Sequence, residues 1–174
     1  MHDHRQRFEA LALPHLDAAY NLARWLARSP ADADDIVQEA MLRAFRSFDR
    51  FRGETIRPWL LAIVRNCWRN AAGDRHRRGH APLDEEDGHG LASEAPDPEA
   101  EALHASEGRR LEAVLAGLPD DFREVLVLRE IEDMSYREIA EATGAPIGTV
   151  MSRLARARAL LKDRWLVEER HGLR

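Results

Sequence analysis

The middle of this chain is a long acidic stretch that cannot contribute to a hydrophobic core. Residues 83–107 contain no lysine or arginine, are interrupted by prolines and glycines, and have few large apolar side chains. Their acidic residues are Asp84, Glu85, Glu86, Asp87, Glu94, Asp97, Glu99, Glu101 and Glu107. Too little apolar surface is present to offset the conformational entropy lost on folding, so the stretch is typical of a linker. The sequence therefore predicts two modules, at residues 1–78 and 108–168, joined by a flexible acidic linker at residues 79–107.

Both modules are predicted to be helical, so the expected fold class is all-α with two small helical domains. A chain of 174 residues is long enough for two small cores. It has no apolar run long enough for a membrane span, and its first residues lack the apolar segment of a signal peptide. Cys67 is the single cysteine, so no internal disulfide can form. These features favour a protein of the reducing cytoplasm.

A helix predicted to start at Ser29 and Pro30 has an apolar seam and an unusual polar face. Serine is a favourable N-cap, and proline at the first helical position loses no hydrogen bond. The seam consists of Ile36, Val37, Ala40, Met41, Ala44, Phe45 and Phe48. The opposite face consists of Asp35, Gln38, Glu39, Leu42, Arg43 and Arg46. A partner surface would explain Leu42 among charged residues, although single exposed leucines are common on proteins.

Charge is sorted by segment along the chain. A formal net charge of −5 argues against a nucleic-acid-binding protein, but residues 65–80 and 149–164 are both strongly basic. A helix that begins at Pro58 ends in a polar, basic and aromatic group made of Asn66, Trp68, Arg69 and Asn70. Arginine neutralises phosphate and an indole can stack on an unpaired base, so this group is a candidate site for a nucleic-acid strand. The alternative is a solvated helix end whose arginines complement the helix dipole.

The second module has the pattern of a helix-turn-helix. A capping box at residues 135–138 starts a short helix, Gly144 ends it, and a longer basic helix follows at residues 149–165. In this arrangement the second helix lies in the major groove of DNA. The residues predicted to face the groove are Thr149, Ser152, Arg153 and Arg156. Arg153 is nearer the helix start and is expected to read a base, whereas Arg156 is expected to contact phosphate.

Motifs in both modules resemble those of one protein family. In the first module they are DDIVQE at residues 34–39, LRAF at residues 42–45, PWL at residues 58–60 and IVRN at residues 63–66. In the second module they are LP at residues 118–119, SYREIA at residues 135–140 and GTVMSRLARAR at residues 148–158. Two such sets in this order resemble regions 2 and 4 of the extracytoplasmic-function (ECF) sigma factors of the sigma-70 family.

The resemblance implies a function in transcription initiation at stress-response promoters. In ECF sigma factors, region 2 binds the coiled-coil of the β′ subunit of core RNA polymerase through the helix that matches residues 34–46. The loop and helix that match residues 48–69 capture the opened −10 strand, while region 4 reads the −35 duplex and docks on the β flap. An anti-sigma factor is a further implied partner. Many relatives carry a basic residue in place of Met151 and a bulkier one in place of Ala155, so the preferred −35 sequence stays open.

Two other functions are compatible with parts of the sequence. A stand-alone helix-turn-helix regulator would bind its operator tightly without polymerase. A metal hydrolase would need ligands from His2, His4, His76, His80 and His89. These histidines lack HExxH spacing, and no nucleophile with a neighbouring base can be named. The sequence therefore predicts a protein that is not an enzyme and binds neither a metal ion nor another cofactor.

Overall fold

The computed structural model describes residues 2–27, 29–78 and 98–172. The α-helices within them are α1 (His2–Ala12), α2 (Leu16–Leu26), α3 (Pro30–Ser47), α4 (Ile56–Arg78), α5 (Pro98–Ala116), α6 (Asp120–Leu126), α7 (Tyr136–Thr143) and α8 (Ile147–Gly172). Short 3-10 helices occupy Leu13–His15 and Phe48–Arg50, and a π-helical turn at Val127–Ile131 continues α6. These described residues form no β-strand, which agrees with the predicted all-α class. None of the helices in the described part is both long and apolar enough to cross a membrane.

Helices α2, α3 and α4 pack around a shared apolar core in the first half of the chain. Leu22 and Leu26 from α2 are fully buried, as are Leu60 and Val64 from α4. Ile36 from the predicted seam of α3 packs into the same cluster. Side chains at spacings of three and four residues share one side of a helix, so each of these helices turns a continuous apolar stripe inward.

Local signals in the sequence set the helix ends as predicted. Ser29 caps α3, because its Oγ accepts a hydrogen bond from the amide of Asp32 at 3.1 Å. The capping box of α7 is confirmed: Ser135 Oγ accepts from the amide of Glu138 at 3.2 Å, and the Glu138 carboxylate accepts from the amide of Ser135 at 2.7 Å. Gly144 ends α7 with a φ of 69°, in the left-handed region that favours glycine.

Helix begins earlier in the structure than the predicted end of the linker at residue 107. Residues 79–97 lie outside the described residues, whereas α5 begins at Pro98, inside the range expected to be linker. Proline suits a first helical turn, and the alanines and glutamates that follow favour helix. Arg110 attaches α5 to α8, since its guanidinium lies 4.1 Å from the Trp165 ring centroid and donates to the Trp165 carbonyl at 2.8 Å. The helix therefore belongs with the second half of the chain.

The two halves pack against each other, and their buried residues form one continuous cluster. Arg123 of α6 is buried and donates to the carbonyls of Leu115 at 3.0 Å and Ala116 at 2.7 Å, near the end of α5. Its guanidinium also donates to the carbonyl of Leu26, at the end of α2, at 3.2 Å. One side chain thus satisfies carbonyls at helix ends in both halves.

Replacement of Ser135 by alanine removes the side-chain acceptor of the capping box. We expect Ser135→Ala to lower the free energy of unfolding by about 1 kcal/mol, the usual effect of losing an N-cap. Urea unfolding followed by far-UV circular dichroism measures this change. Ser106→Ala, at an exposed position inside α5, is the matched control and should change stability by less than about 0.5 kcal/mol. Equal stabilities of Ser135→Ala and the wild type would contradict this role of the cap.

Candidate functional site

The outward face of α3 presents an exposed leucine among charged side chains. Leu42 is 52% exposed, which confirms its predicted position outside the core. Beside it, Arg43 Nε lies 2.5 Å from Glu39 Oε1, one helical turn away. The other exposed members of the predicted face are Asp35, Gln38 and Arg46. The structure therefore brings the predicted partner-binding residues onto one surface.

Phe45 extends the apolar part of this face. It was expected in the buried seam, but the structure leaves it partly exposed. Its ring makes edge contacts with His4 at 5.1 Å and Phe8 at 5.3 Å between centroids, so α1 covers only part of the ring. Residues three apart are neighbours on a helix surface, which places Phe45 beside Leu42. This spacing was the available sequence signal for a larger apolar patch.

The end of α4 differs from the prediction in the position of its tryptophan. Trp68 is 1% exposed and lies in the core, so its indole is not available to stack on a base in this structure. The residue follows Val64 by one turn and Leu61 by two turns, and therefore shares their buried side. Asn66 and Asn70 are exposed as predicted. Of the predicted group, the two asparagines are exposed, Arg69 is half-buried and Trp68 lies in the core.

Arginines of α4 bind carboxylates of α6. Glu124 is 0% exposed, and its two oxygens accept hydrogen bonds from Arg65 Nε at 2.8 Å and Nη2 at 2.9 Å. Arg69 Nε lies 3.3 Å from Glu124 Oε2, and Arg69 Nη2 donates to Asp121. A buried carboxylate is very unfavourable without such partners. The burial of Glu124 therefore depends on these two arginines.

The second helix of the helix-turn-helix, α8, is longer than predicted. It begins at Ile147 instead of Thr149 and continues to Gly172. Val150 and Leu154 are buried, as expected, and attach the helix to the rest of the second half. The opposite side of the first turns is open to solvent and forms the candidate DNA-binding surface.

The residues predicted to face DNA lie in two neighbouring rows of α8. Ser152 and Arg156 form an exposed row, in which Arg156 Nε lies 3.4 Å from the Ser152 carbonyl. Thr149 and Arg153 form a half-buried row, and Arg153 Nη2 lies 3.3 Å from Asp121 Oδ2. Asp121 thus binds one arginine from each of the two predicted DNA-binding groups. Two exposed apolar residues at the start of the helix, Ile147 and Met151, were not in the predicted set.

A cleft of about 610 Å³ separates the segment before α4 from α7. Phe51 and Trp59 line it, with ring centroids 5.2 Å apart, and both side chains are half-buried against the core. Charged side chains of Glu54, Arg137 and Glu141 complete its walls. Within the described residues, no three side chains of His, Cys, Asp or Glu are grouped so that they could hold a metal ion.

Comparisons with known proteins identify the family. A sigma-70 region 2 model matches residues 11–78, and a sigma-70 region 4 model matches residues 108–161. The ECF RNA polymerase sigma factor SigE of Mycolicibacterium smegmatis is 35% identical over 158 residues, which cover 90% of this chain and 60% of that protein. The ECF RNA polymerase sigma-E factor of Haemophilus influenzae is 33% identical over 150 residues, which cover 82% of this chain and 78% of that protein. The chain belongs to the ECF sigma factors.

The fold of this ECF sigma factor matches that of a solved relative. The sigma factor RpoE from Bartonella quintana, in a co-crystal structure with the anti-sigma factor NepR, superposes with a TM-score of 0.74 and 25% identity. The match covers 93% of this chain and 98% of that chain, so it includes both halves.

Glu132 forms another ion pair between the two halves. Its Oε2 accepts a hydrogen bond from Arg57 Nη2 of α4 at 2.8 Å. Burial raises the pKa of Glu132 above its ordinary value, and the charge of Arg57 opposes this shift only in part. A carboxyl group with a higher pKa in the folded state than in the unfolded state binds its proton more tightly when folded. Its contribution to the free energy of unfolding is complete at a pH below the unfolded-state pKa, and it is lost as the pH rises through the folded-state pKa.

Glu132→Gln tests this pH dependence, because glutamine cannot ionise. We expect the variant to gain stability relative to the wild type as the pH rises from about 4 to about 7. Urea unfolding of both proteins across this range gives the difference in free energy of unfolding. Glu107→Gln, at an exposed position of α5, controls for the loss of one carboxylate and should not reproduce the gain. A difference between Glu132→Gln and wild type that is constant with pH would contradict burial as the cause.

Proposed function

We propose that this ECF sigma factor is the promoter-specificity subunit of bacterial RNA polymerase and acts in the cytoplasm without catalysing a reaction itself. In this proposal residues 1–78 form the region 2 domain and residues 108–168 form the region 4 domain. The observation that carries the proposal is that one chain contains both sigma-70 regions, each with an exposed candidate interface. A stand-alone helix-turn-helix regulator would need neither region 2 nor the exposed face of α3.

The outward face of α3 is proposed to bind core polymerase at the coiled-coil of its β′ subunit. Leu42 and Phe45 provide an apolar centre. Asp35, Arg43 and Arg46 provide charged groups around it. An apolar centre with a polar rim is the usual anatomy of a protein interface. This arrangement favours the hypothesis that Leu42 binds a partner over the alternative that its exposure has no function.

The polar end of α4, together with an aromatic pair near its start, is proposed to bind the opened −10 strand. Asn66 and Asn70 offer exposed amide groups, and Arg69 offers a positive charge for phosphate. Because Trp68 is buried, we assign base stacking to Phe51 and Trp59, which the proposed separation of the halves would uncover from α7. This proposal keeps the predicted polar residues of the strand-binding region and replaces Trp68 by Phe51 and Trp59 as its aromatic residues.

The start of α8 is proposed to enter the major groove of the −35 duplex. Ser152 and Arg156 point away from the protein and are free to approach DNA. Arg153 is half-buried and bound to Asp121. We therefore propose Arg156 as the arginine better placed to reach a base, which reverses the roles expected from position along the helix alone.

Promoter binding is proposed to require separation of the two halves. Carboxylates of α6, in the second half, hold Arg69 of the first half in the described arrangement. DNA phosphates would compete for the same guanidinium group. Core polymerase would bind one half at the β′ coiled-coil and the other at the β flap. The two halves would then be held as far apart as the −10 and −35 elements, which raises the effective concentration of each half at its own DNA element. The complex of RpoE with NepR supports an anti-sigma factor as a further partner.

In vitro transcription tests the function as a whole. Core RNA polymerase of the source bacterium is supplied with upstream regions of its own genome, with and without this chain. New start sites should appear only when the chain is present, each preceded by shared −10 and −35 sequences. A repressor or an enzyme would create no start sites, so their absence would remove the proposed function.

The core-binding assignment is tested on the exposed face of α3. Leu42→Arg combined with Gln38→Ala should abolish co-purification with core polymerase, because a charge replaces the apolar centre of the interface. Helicity and thermal unfolding should stay unchanged, since both residues lie outside the core. Leu13→Arg is the matched control, at a leucine that is 51% exposed elsewhere in the first half. Undiminished core binding by the folded double variant would exclude this face.

The strand-binding assignment is tested at the end of α4. Arg69→Ala and Asn66→Ala should impair opening of the −10 element more than recruitment of polymerase to the promoter. Permanganate footprinting of unpaired thymines measures opening, and gel retention of the closed complex measures recruitment. Arg5→Ala, an exposed arginine of α1 that pairs with Glu9, is the control. Normal thymine reactivity in both α4 variants would contradict the assignment.

A further inference from the structure

The exposed side of α8 is divided lengthwise into an apolar row and a polar row. Residues that are four positions apart lie only about 40° from each other around the helix axis, so they form a row along the helix. The apolar row consists of Ile147, Met151 and Ala155, all exposed. The neighbouring polar row, about 100° away, consists of Gly148, Ser152 and Arg156, also exposed.

The apolar row borders the buried stripe of α8 but is not itself covered. Val150, Leu154 and Ala157 are buried and provide contacts of the helix with the second half, and Leu154 lies only about 20° from Ile147 around the helix axis. Ile147 is 46% exposed and Met151 is 52% exposed. Two large apolar side chains in adjacent exposed turns are a feature of binding surfaces more than of solvated helices.

Gly148 leaves the start of α8 open. A methyl group built there would meet nothing within 4 Å beyond its chain neighbours and the backbone of the helix itself. The absence of a side chain permits a close approach to the helix start.

DNA is the molecule that fits both rows. Ser152 and Arg156 suit base edges and phosphates, which argues for a nucleic acid over an apolar protein partner. The only apolar group that DNA bases present in the major groove is the 5-methyl group of thymine. Met151 lies about 6 Å along the helix from Ile147, so the two residues can face base pairs one or two steps apart.

We propose that Ile147 and Met151 read thymine methyl groups in the −35 duplex, with Ala155 leaving room for the DNA beside them. The proposal rests on the proposed function, namely that α8 binds this duplex. It assigns the −35 preference of this chain to apolar contacts with thymine, next to polar contacts made by Ser152 and Arg156.

Thymine and deoxyuridine differ only by the 5-methyl group, so their comparison tests the proposal directly. Holoenzyme made from the full chain and core polymerase is first selected on promoters with a randomised −35 element. Each thymine of the best −35 sequence, on either strand, is then replaced singly by deoxyuridine. At least one replacement should weaken binding by wild-type holoenzyme about fourfold, the value of one buried methyl group. Met151→Ala or Ile147→Ala should remove that discrimination at the base pair that the residue contacts.

Two variants serve as matched controls. Met151→Leu keeps an apolar side chain of similar volume and should keep the preference for thymine. Leu166→Ala removes an exposed apolar residue farther along the same helix and should leave the preference unchanged. Equal binding of thymine and deoxyuridine at every position would overturn the proposal, as would discrimination that persists in an Ile147→Ala, Met151→Ala double variant. A selection that yields no −35 preference, or one unaffected by Arg156→Ala, would instead overturn the underlying assignment of α8 to the −35 duplex.

Discussion

The buried carboxylate of Glu124 places the strictest chemical requirement on the contact between the two halves. An ionised carboxylate without partners in a protein interior costs several kcal/mol in lost hydration. Arg65 offsets this by donating to both oxygens, and Arg69 adds a contact at 3.3 Å. Loss of one partner from such a buried pair typically costs about 3–5 kcal/mol, more than the pair itself contributes. Helices α4 and α6 are therefore held together by a few charged atoms in addition to apolar contacts.

In the proposed function, Arg69 and Arg153 have two incompatible uses. A guanidinium N–H that donates to a carboxylate cannot donate to a phosphate at the same time. Arg69 binds Asp121 and Glu124 across the contact between the halves, whereas Arg153 binds Asp121 within the second half. The affinity for promoter DNA would then include the free energy of freeing Arg69 by separation and of releasing Arg153 from Asp121. A partner that binds the separated halves more tightly than the packed halves reduces that free energy. The reduction equals the difference between its binding free energies for the two arrangements.

Features that depend on a few neighbouring residues could be predicted from the sequence. The cap at Ser29, the capping box at residues 135–138, the left-handed Gly144 and the exposure of Leu42 are all confirmed. The burial of Trp68 was missed although it follows Val64 and Leu61 at helical spacing, because α4 packs against α2, α3 and α7 and its periodicity does not single out one exposed face.

The residues that contact the candidate site from distant parts of the chain could not be predicted from local sequence patterns either. Arg65 and Glu124 are 59 residues apart in the chain, and no pattern in either helix indicates that they meet. For the same reason the motif of α8 predicted a DNA-binding helix but not which of its arginines is covered by α6.

In the proposed separation of the halves, the polar contacts between them cost less free energy to open than the apolar contacts do. Arg123 donates to the carbonyls of Leu115, Ala116 and Leu118 within the second half, and to the carbonyl of Leu26 in the first. On separation, water can replace the guanidinium at Leu26, while the cap on α5 stays in place. Glu124 likewise regains hydration when it leaves Arg65, which offsets part of the lost ion pair. Apolar area exposed by separation has no such compensation, at roughly 25 cal/mol per Å². Ion pairs of this interface are therefore less costly to open than apolar contacts of the same area, and in the proposed function their opening releases Arg69 for DNA.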